Sequence, residues 1–313
     1  MIVVLTGGSG GAKFVQGLAQ VLPARELTCI VNTGDDLIWW ELHVSPDLDS
    51  ITYALAGMLS TERGWGIDGD NFHCLEQMKR LGAPAWFQLG DRDLATHLRR
   101  TELLASGSTL ADATRQITRT FGVQAGVLPM TDARVETRVL TPQGELSFQE
   151  YFVRERWQVA VTGVRFDGAE RAAPAPGVVE AILAAEVVLV APSNPVTSIG
   201  PILSVPGIRD ALRQTAAPIA AVSPIVGGAA VSGPAGELMS AQRLPVSPAG
   251  VAQTYADFLD VLVVDEGDAG ASVDVPAIEV RVADTIMKTM ADKTKLARTV
   301  LDFIRKHELK AAS

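Results

Sequence analysis

Residues 1–22 read MIVVLTGGSGGAKFVQGLAQVL, and this stretch decides the fold. Met1–Thr6 is a short apolar run that predicts a buried strand, and Gly7–Gly11 follows it as a loop with four glycines in five residues. Along Ala12–Leu22 apolar residues recur at helical spacing. Leu27–Thr33, rich in Ile, Val and Thr, predicts a second strand that stops at Gly34. Together these segments predict a β-α-β unit with parallel strands and a right-handed crossover.

Beyond this unit the pattern changes to a run of helices, then a hairpin, then renewed alternation of helix and strand. The predicted helices of the run are Asp47–Leu59, Phe72–Leu81, Leu94–Leu104 and Thr109–Thr120. The predicted antiparallel strands are Val135–Thr141, Glu145–Val153 and Trp157–Phe166, and the later strands are Val187–Ala191, Pro218–Ser223, Val261–Val264 and Ile278–Val282. We therefore expect a doubly wound, mostly parallel Rossmann-like α/β sheet in a single domain over residues 1–313, with a helical insertion at about 45–125 and a hairpin at about 135–166.

Composition excludes several classes of protein. The 313 residues are 47% hydrophobic and 20% charged, enough for a sizeable core, so disorder and fibrous repeats are excluded. With 27 Lys and Arg against 36 Asp and Glu, the net charge of −9 disfavours nucleic acid and anionic lipid as partners. The longest apolar run, Ala181–Pro192, contains Glu186 and falls short of the roughly 20 residues of a membrane span. No secretory signal pattern opens the chain, so we expect a cytoplasmic protein.

The glycine loop predicts phosphate binding, because ligands of open α/β sheets bind beyond the carboxyl ends of the strands. Backbone N–H groups next to a helix N-terminus can approach an anion closely where side chains are absent. The candidates are Gly8, Ser9, Gly10 and Gly11. A tight turn is the structural alternative. The loop lacks the Gly-Lys-Ser/Thr ending of a P-loop, and Lys13 stands where the dinucleotide fingerprint needs its third glycine. Lys13 is either a positive charge beside the phosphates or a solvated surface residue.

Four carboxylates lie near the end of the second strand and the start of the next helix: Asp35, Asp36, Asp47 and Asp49. Carboxylates that converge from two segments repel one another and need a cation. Oxygen ligands without a Cys or His cluster favour Mg²⁺. For Asp47 alone, a helix cap is an equally good interpretation.

Other polar and aromatic residues are candidates for ligand contacts. The arginines that could neutralise an anionic substrate, or form surface ion pairs instead, are Arg63, Arg92, Arg99, Arg134 and Arg138. Trp65, between two glycines, suits stacking on a flat ring. Ser193 and Asn194 follow a buried strand and suit binding to a phosphate or a ring edge, or else form a plain turn and cap. His97, without a partner cluster in sequence, is expected to be a packed or exposed histidine.

At these residues the sequence resembles the 2-phospho-L-lactate transferase family, which makes the phosphodiester precursor of the deazaflavin coenzyme F420. The matching strings are GGSGGAK (7–13), NTGDD (32–36), PDLDS (46–50), RGWG (63–66), LGDRDLATH (89–97) and APSNP (191–195). The first two strings also resemble a related group of regulators that bind nucleotide-sugars or dinucleotides. Two positions depart from the family pattern: Ser50, where Thr is expected, and Ile38–Glu41, where relatives tend to carry a smaller stretch with glycine. The second departure is expected to alter the acceptor pocket.

The resemblance implies a Mg²⁺-dependent transfer. The terminal ribityl hydroxyl of the deazaflavin Fo would attack the diphosphate of a guanosine-linked phospho-acid and release GMP. It implies that Asp35 and Asp49 bind the metal, that Asp36 and Asp47 are neighbours or proton acceptors, and that Asp36 belongs with Asp35 and Asp49 to the catalytic set. The glycine loop and Lys13 would hold phosphates. The residues that would line the organic ligands are Trp65, Arg92, Ser193 and Asn194.

Three questions stay open at this point. The phospho-acid is phospholactate, phosphoenolpyruvate or phosphoglycerate, which differ by a few atoms. The competing functions are an NAD-dependent dehydrogenase, suggested by the β-α-β start and Asp35, and a nucleotide-sensing regulator without catalysis. A homodimer is expected from the size and class of the enzyme, with the terminal helix Met287–His307 as one contact.

Overall fold

The computed structural model describes the backbone of residues 1–311 and side chains up to His307. Its strands are β1 (Ile2–Thr6), β2 (Leu27–Val31), β3 (Leu37–Trp39), β4 (Leu42–Val44), β5 (Gly126–Pro129), β6 (Glu136–Thr141), β7 (Gly144–Ser147), β8 (Gly163–Asp167), β9 (Val187–Val190), β10 (Ile219–Val222), β11 (Ile225–Val226), β12 (Ala229–Ala230), β13 (Val261–Asp265) and β14 (Glu279–Ala283). Its α-helices are α1 (Gly8–Leu18), α2 (Pro46–Leu55), α3 (His73–Arg80), α4 (Asp91–Ala105), α5 (Leu110–Thr120), α6 (Val178–Leu183), α7 (Gly200–Ser204), α8 (Ile208–Gln214), α9 (Ala235–Ala241), α10 (Pro248–Tyr255) and α11 (Met290–Ala311).

Seven parallel strands form the central sheet, in the order β14-β13-β10-β9-β1-β2-β5. β1 lies in the middle and pairs with β2 on one side and β9 on the other, Ile2 opposite both Leu27 and Val187. Strands buried on both faces carry near-continuous apolar runs, as β1 does. The predicted doubly wound α/β sheet is confirmed.

Helices cover both faces of the sheet, because neighbouring residues of each strand point to opposite sides. Val3 and Leu5 join the core formed with α6, α8 and α10, whereas Ile2 and Val4 join the core formed with α1, α2 and α11. Smaller antiparallel sheets project from this body: β7-β6-β8, the hairpin β3-β4 and the short pair β11-β12. The sheet β7-β6-β8 occupies the predicted hairpin region, and α2 to α5 lie between residues 46 and 120.

The order of the strands creates a crevice at the carboxyl edge of the sheet. From β1 the chain proceeds to β2 on one side, whereas β9, on the other side of β1, comes from much later in the sequence. Loops on either side of such a switch point diverge, and ligands bind between them. The glycine loop and the loop that begins at Pro192 therefore flank this crevice.

Two predicted strands are longer than the observed ones, and an edge strand of the central sheet was not predicted. The strand predicted over Trp157–Phe166 begins only at Gly163. The strand predicted over Glu145–Val153 ends at Ser147, and a π-helical turn, Glu150–Arg154, follows it. Its apolar residues resemble a strand pattern, but Phe148 and Phe152 stack on each other as helical neighbours do. The edge strand β5 was not predicted, because its four residues begin with Gly and end with Pro, which are typical of turns.

Within the described residues, no helix combines the length and apolar character that crossing a membrane requires. The homodimer and the cytoplasmic location stay predictions.

Candidate active site

A cavity of about 860 Å³ opens at the carboxyl edge of the central sheet. Its walls come from the loops that follow β1, β2, β9, β10 and β14, together with the start of α2 and the segment between β7 and β8. This volume lies in the upper part of the range typical of small-molecule sites. The cavity therefore has room for more than one small organic ligand.

Asp35 and Asp47 meet at one amide nitrogen. The Nδ2 atom of Asn32, at the end of β2, donates to Oδ2 of Asp35 at 3.0 Å and to Oδ2 of Asp47 at 2.9 Å. The other Asp47 oxygen accepts the backbone N–H of Gly8 at 2.8 Å. Both carboxylates line the cavity and are nine-tenths or more buried. The two segments predicted to converge, the end of β2 and the start of α2, do so here.

This carboxylate pair has no basic partner. No ion pair joins Asp35 or Asp47 to a Lys, Arg or His among the side chains that the structure describes. Oδ1 of Asp35 accepts no hydrogen bond of ordinary geometry from these side chains, although the nearby Thr137 hydroxyl acts to lower the pKa of Asp35. Burial and the neighbouring carboxylates of Asp47 and Asp36 raise the pKa of Asp35 well above its ordinary value. Burial also raises the pKa of Asp47 to about 6, against the lowering effect of its hydrogen bonds from Gly8 and Asn32. The Asp35 and Asp47 carboxylates thus form a buried acidic pair that no described side chain neutralises by an ion pair.

Asp49 lies two residues after Asp47 in the first turn of α2 and has a different environment. Both its oxygens accept from the guanidinium of Arg100, Oδ2 from Nη1 at 3.1 Å and Oδ1 from Nη2. Arg100 is 2% exposed, and although burial alone would lower its pKa, the Asp49 carboxylate keeps the pKa of Arg100 above its ordinary value. Asp49 was predicted to bind the metal together with Asp35, but the structure commits its carboxylate to Arg100.

A buried polar network continues from this ion pair. His97 places Nδ1 at 3.5 Å from Oδ2 of Asp49 and Nε2 at 3.4 Å from Oδ1 of Asp93. The hydroxyl of Tyr53 donates to the same Asp93 oxygen at 2.7 Å. Burial would raise the pKa of Asp93, but His97 and Tyr53 outweigh it and the pKa is lowered. His97 is 1% exposed and lines the cavity, so it is a packed histidine, but one with two carboxylate partners.

The glycine loop packs tightly around these groups. A side chain at Gly7 would meet the Asp47 carboxylate, and one at Gly10 would meet the carbonyl of Pro192. Gly8 has φ +65, the left-handed conformation that glycine adopts without strain. The residues of the loop that line the cavity, with Lys13 in the next turn, are Gly7, Gly8, Ser9 and Gly10. The helix α1 begins at Gly8, earlier than predicted, so N–H groups without an intrahelical partner lie at this wall.

Several other predicted site residues have structural partners instead. The Ser193 hydroxyl donates to the Gly7 carbonyl at 2.7 Å and so joins the two loops of the crevice. Asn194 lines the cavity, but its Oδ1 accepts the N–H of Val196 at 2.9 Å, as in a turn. Gly11 does not line the cavity and packs against Thr6 and Ser193.

Asp36 and Arg92 also lie outside the cavity lining. Asp36 accepts the Ser45 hydroxyl at 2.6 Å, and its negative charge contributes to the raised pKa of Asp35. Burial raises the pKa of Asp36 well above its ordinary value. The guanidinium of Arg92 donates to the Asp68 carbonyl at 3.1 Å. The predicted roles, catalysis for Asp36 and ligand contact for Arg92, stay predictions.

The remaining candidate arginines divide into two groups. Arg99, Arg134 and Arg138 form ion pairs with acidic neighbours outside the cavity, as the structural alternative predicted. Arg63 lines the cavity beside Trp65, with its guanidinium 5.5 Å from the centre of the Trp65 ring. Trp65 therefore lies at the cavity, as predicted, with a cation packed against its ring.

The model of the family described as 2-phospho-L-lactate transferase CofD matches residues 2–306. The chain belongs to this family. A 2-phospho-L-lactate transferase of Methanosarcina mazei is 41% identical over 302 residues, covering 96% of this chain and 99% of that protein. A phosphoenolpyruvate transferase of Streptomyces griseus is 44% identical over 309 residues, covering 96% of this chain and 97% of that protein.

Solved structures show the same fold at low identity. A crystal structure of a UPF0052 family protein from Bacillus halodurans has a TM-score of 0.65 and 15% identity, covering 96% of this chain and 98% of that chain. Membership of the CofD family makes the protein a transferase of a phosphate-containing group.

The stretch Ile38–Glu41, which was expected to depart from the family pattern, comprises the end of β3 and the turn of the hairpin β3-β4. Its turn residues Trp40 and Glu41 both have positive φ, 51 and 62, where glycine or asparagine is preferred. Trp39 packs against Trp86, with ring centres 4.7 Å apart, and Trp86 lines the cavity. This stretch therefore supports the cavity wall through the contact of Trp39 with Trp86, without lining the cavity itself.

Sequence reasoning missed three polar residues of the site, Asn32, Arg100 and Gln149. Asn32 is in the quoted NTGDD string, but its side chain was not considered. Arg100 follows Asp93 and His97 at helical spacing, four and then three residues on, which places all three on one face of α4. That spacing was a usable signal. Gln149, whose Nε2 donates to the Asp35 carbonyl at 3.1 Å, gave none, because it is 114 residues away in the chain.

Proposed function

We propose that the protein acts in coenzyme F420 biosynthesis, transferring a phospho-acid from a guanosine diphosphate-linked donor to the terminal ribityl hydroxyl of the deazaflavin Fo with release of GMP. The family and its named relatives support the class of reaction. The observation that carries the proposal is the buried, unneutralised pair Asp35 and Asp47 beside the N-terminus of α1. A diphosphate brings negative charge, so such a pair can face one only with a cation between them.

Magnesium fits this pair. Carboxylate oxygens are its preferred protein ligands, and it is bound by one or two carboxylates together with substrate phosphates. Asp35 offers an oxygen without a hydrogen-bond partner among the described residues. The Asn32 amide donates to both carboxylates and so holds Asp47 beside Asp35. Asp49 is a poorer ligand than the sequence predicted, because Arg100 already neutralises it. When bound, Mg²⁺ would offset the charge of the diphosphate and of the departing phosphate.

The chain's own residues do the positioning. Ser9 and Gly10 line the cavity in the first turn of α1, where backbone N–H groups have no intrahelical acceptor and suit phosphate oxygens. Lys13 adds a positive charge on the same wall. Asn32 fixes the two carboxylates relative to each other, and Arg100 anchors the first turn of α2 through Asp49. In phosphoryl transfer such positioning and charge compensation supply most of the catalysis.

The phospho-acid is 2-phospholactate or phosphoenolpyruvate, since relatives named for each are similarly identical to this chain. An assay with purified protein, Mg²⁺, Fo and each guanylylated phospho-acid in turn measures GMP release and identifies the donor. If neither donor yields GMP, or if GMP forms without Fo, the proposal is contradicted.

The matched variants are Asp35→Asn and Asp210→Asn. Asp35→Asn is expected to lower kcat by more than about a hundredfold while the protein stays folded, because the charge that holds the ion is lost. Asp210 forms a surface ion pair with Arg213, so Asp210→Asn is expected to keep wild-type turnover. Equal activity of the two variants would refute the role of Asp35.

A further inference from the structure

A short segment without regular secondary structure forms one wall of the cavity. It comprises Thr285–Lys288, between β14 and α11, and each of its residues lines the cavity. Because the segment belongs to no helix or strand, other groups must accept its backbone N–H hydrogen bonds and fix its path. We call Thr285–Lys288 the wall segment.

Asp265 holds the start of the wall segment. It is the last residue of β13, and its Oδ2 accepts both the backbone N–H and the hydroxyl of Thr285, each at 2.9 Å. Its Oδ1 accepts the N–H of Gly267 at 2.9 Å. Burial would raise the pKa of Asp265, but these hydrogen bonds outweigh it and the pKa is lowered. The Asp265 carboxylate is therefore a buried anion held by hydrogen bonds, and it lies outside the cavity lining.

Asp292 holds the other end of the wall segment. Its Oδ2 accepts the N–H of Lys288 at 3.1 Å and the N–H of Thr289 at 2.7 Å. The Thr289 hydroxyl accepts the N–H of Asp292 in return at 3.2 Å, as in a capping box. Two carboxylates thus fix the segment at both ends, and Asp265 is the more buried of the two.

The wall segment presents Lys288 to the cavity without a counter-ion. No carboxylate among the described side chains forms an ion pair with Lys288, and the same holds for Lys13 on α1. Both lysines line the cavity of a protein whose net charge is −9. Cations that line a cavity without an acidic partner favour an anionic ligand. The wall segment therefore adds positive charge to the cavity.

The packing of α11 on α1 brings Lys13 and the wall segment to one side of the cavity. Both helices follow parallel strands of the central sheet, so both begin at its carboxyl edge. Lys293, in the first turn of α11 and 7% exposed, donates to Oε1 of Gln16 on α1 at 2.6 Å. Burial and the neighbouring Lys13 ammonium lower the pKa of Lys293. The start of α11 therefore lies close to Lys13.

We propose that Asp265 is a positioning residue for the nucleotide substrate: it fixes the wall segment so that the Lys288 ammonium meets a phosphate, and it affects nucleotide affinity through Lys288. This proposal rests on the proposed function, because it takes a guanosine diphosphate-linked compound as the ligand. Lysine binds a phosphate as a point charge on a flexible stem, so its contribution depends on where the backbone places that stem. The hydrogen bonds of Asp265 fix that backbone at Thr285.

The test is a double-variant cycle on the affinity for GDP, which carries a diphosphate but no phospho-acid carboxylate. The variants are Asp265→Asn, Lys288→Met and both together, with Lys295→Met as the matched control. Asn has one acceptor oxygen in place of two, and its NH₂ group would face an N–H donor, so the hold on the wall segment is weakened. Lys295 pairs with Asp284 at 3.3 Å outside the cavity, so its replacement removes an equal charge without changing the cavity lining.

Calorimetric titration of GDP in the presence of Mg²⁺ measures the dissociation constant. We expect it to rise about tenfold in Lys288→Met and about fivefold in Asp265→Asn. Adding Asp265→Asn to Lys288→Met is expected to raise it by less than about twofold more, because the Asp265 effect passes through Lys288. The control Lys295→Met is expected to stay within about twofold of wild type.

Two further measurements separate positioning from a general structural effect. The KM for the guanylylated phospho-acid is expected to rise with the GDP dissociation constant, with kcat within about twofold of wild type. The affinity for Fo, from its own fluorescence, is expected to stay within about twofold of wild type in every variant. Thermal unfolding checks that the variants fold.

If Asp265→Asn does not fold, Thr285→Val takes its place in the cycle. Val removes only the hydroxyl that Thr285 donates to Asp265, so the dissociation constant of GDP is expected to rise about threefold, again only when Lys288 is present. Thr285→Ser keeps that hydroxyl and is expected to bind GDP as wild type does.

Unchanged GDP affinity in Lys288→Met, or an equal loss in Lys295→Met, overturns the proposal. So does a loss from Asp265→Asn that is as large without Lys288 as with it, because it would show a general structural role. A wild type that binds GDP but releases no GMP from either donor contradicts the proposed function, whereas the roles of Asp265 and Lys288 are still decided by the GDP data. If wild type fails to bind GDP, the positioning proposal is overturned as well.

Discussion

Asp47 and Asp49 lie two residues apart in the first turn of α2, both buried, and their surroundings are opposite. Asp49 is paired with Arg100 and belongs to a network with His97. Asp47 faces Asp35 across the amide of Asn32 and forms no ion pair with any described side chain, and burial raises its pKa to about 6. Asp49 is neutralised by the protein and so stabilises the fold. Asp47 is the carboxylate that we propose to face a cation from outside the chain.

The largest effect on stability is expected from removing the Arg100 guanidinium, which neutralises Asp49. Arg100→Met leaves Asp49 buried without its partner, which typically costs about 3 to 5 kcal/mol of unfolding free energy. Urea denaturation measures this loss. The double variant Asp49→Leu with Arg100→Met removes both charges and is expected to recover most of it. A double variant as unstable as Arg100→Met alone would show that the ion pair is not the cause.

The difference between Asp47 and Asp49 also predicts that the stability of the metal-free protein depends on pH through Asp47. Folded Asp47 has its pKa raised from 3.8 to about 6, so the folded protein holds this proton more tightly than the unfolded chain does. In the absence of metal, stability should therefore fall as the pH rises through this window and stay low above it. Asp47→Asn removes the cost of burying a charged carboxylate, so it should stabilise the metal-free protein at pH 7 by up to about 3 kcal/mol. Near pH 4 the effect should be small, because folded Asp47 is then protonated.

Asp49→Asn serves as the matched control for this prediction. It leaves Arg100 without its carboxylate, so it should destabilise the protein at pH 7, opposite in sign to Asp47→Asn. Unfolding in EDTA at the two pH values measures both variants. Equal destabilisation by the two substitutions would remove the distinction between the carboxylates.

The smallest effect is expected from Tyr53→Phe. Its hydroxyl donates to Asp93 at 2.7 Å and to Thr96 at 2.8 Å, deep in the neutralised network. Its loss is expected to cost about 1 to 2 kcal/mol of stability, measured by denaturation, with kcat unchanged within about twofold. A large loss of kcat with little loss of stability would place this network in the reaction instead.

The sequence predicts the fold where the signal is local. The first strand, the glycine loop and the second strand lie at β1, α1 and β2 because apolar runs and glycines act on neighbouring residues. The strand predicted over Glu145–Val153 is correct as far as Ser147 and wrong beyond it, because alternation alone did not separate a strand from the π-helical turn at Glu150–Arg154.

The same limit applies to the site. The four aspartates were found from sequence because they are close in the chain, but their roles depend on residues far away. Arg100 lies 51 residues from Asp49, and their contact is set by the packing of α4 against α2 and β4. Only the folded chain therefore shows which carboxylate is neutralised.

The most direct test of the central claim is calorimetric titration of Mg²⁺ into the protein with GDP present. Wild type and Tyr53→Phe are expected to bind one Mg²⁺ with similar affinity, and Asp35→Asn and Asp47→Asn are expected to bind it more than about tenfold more weakly. Magnesium binding that survives both Asp35→Asn and Asp47→Asn would contradict the account.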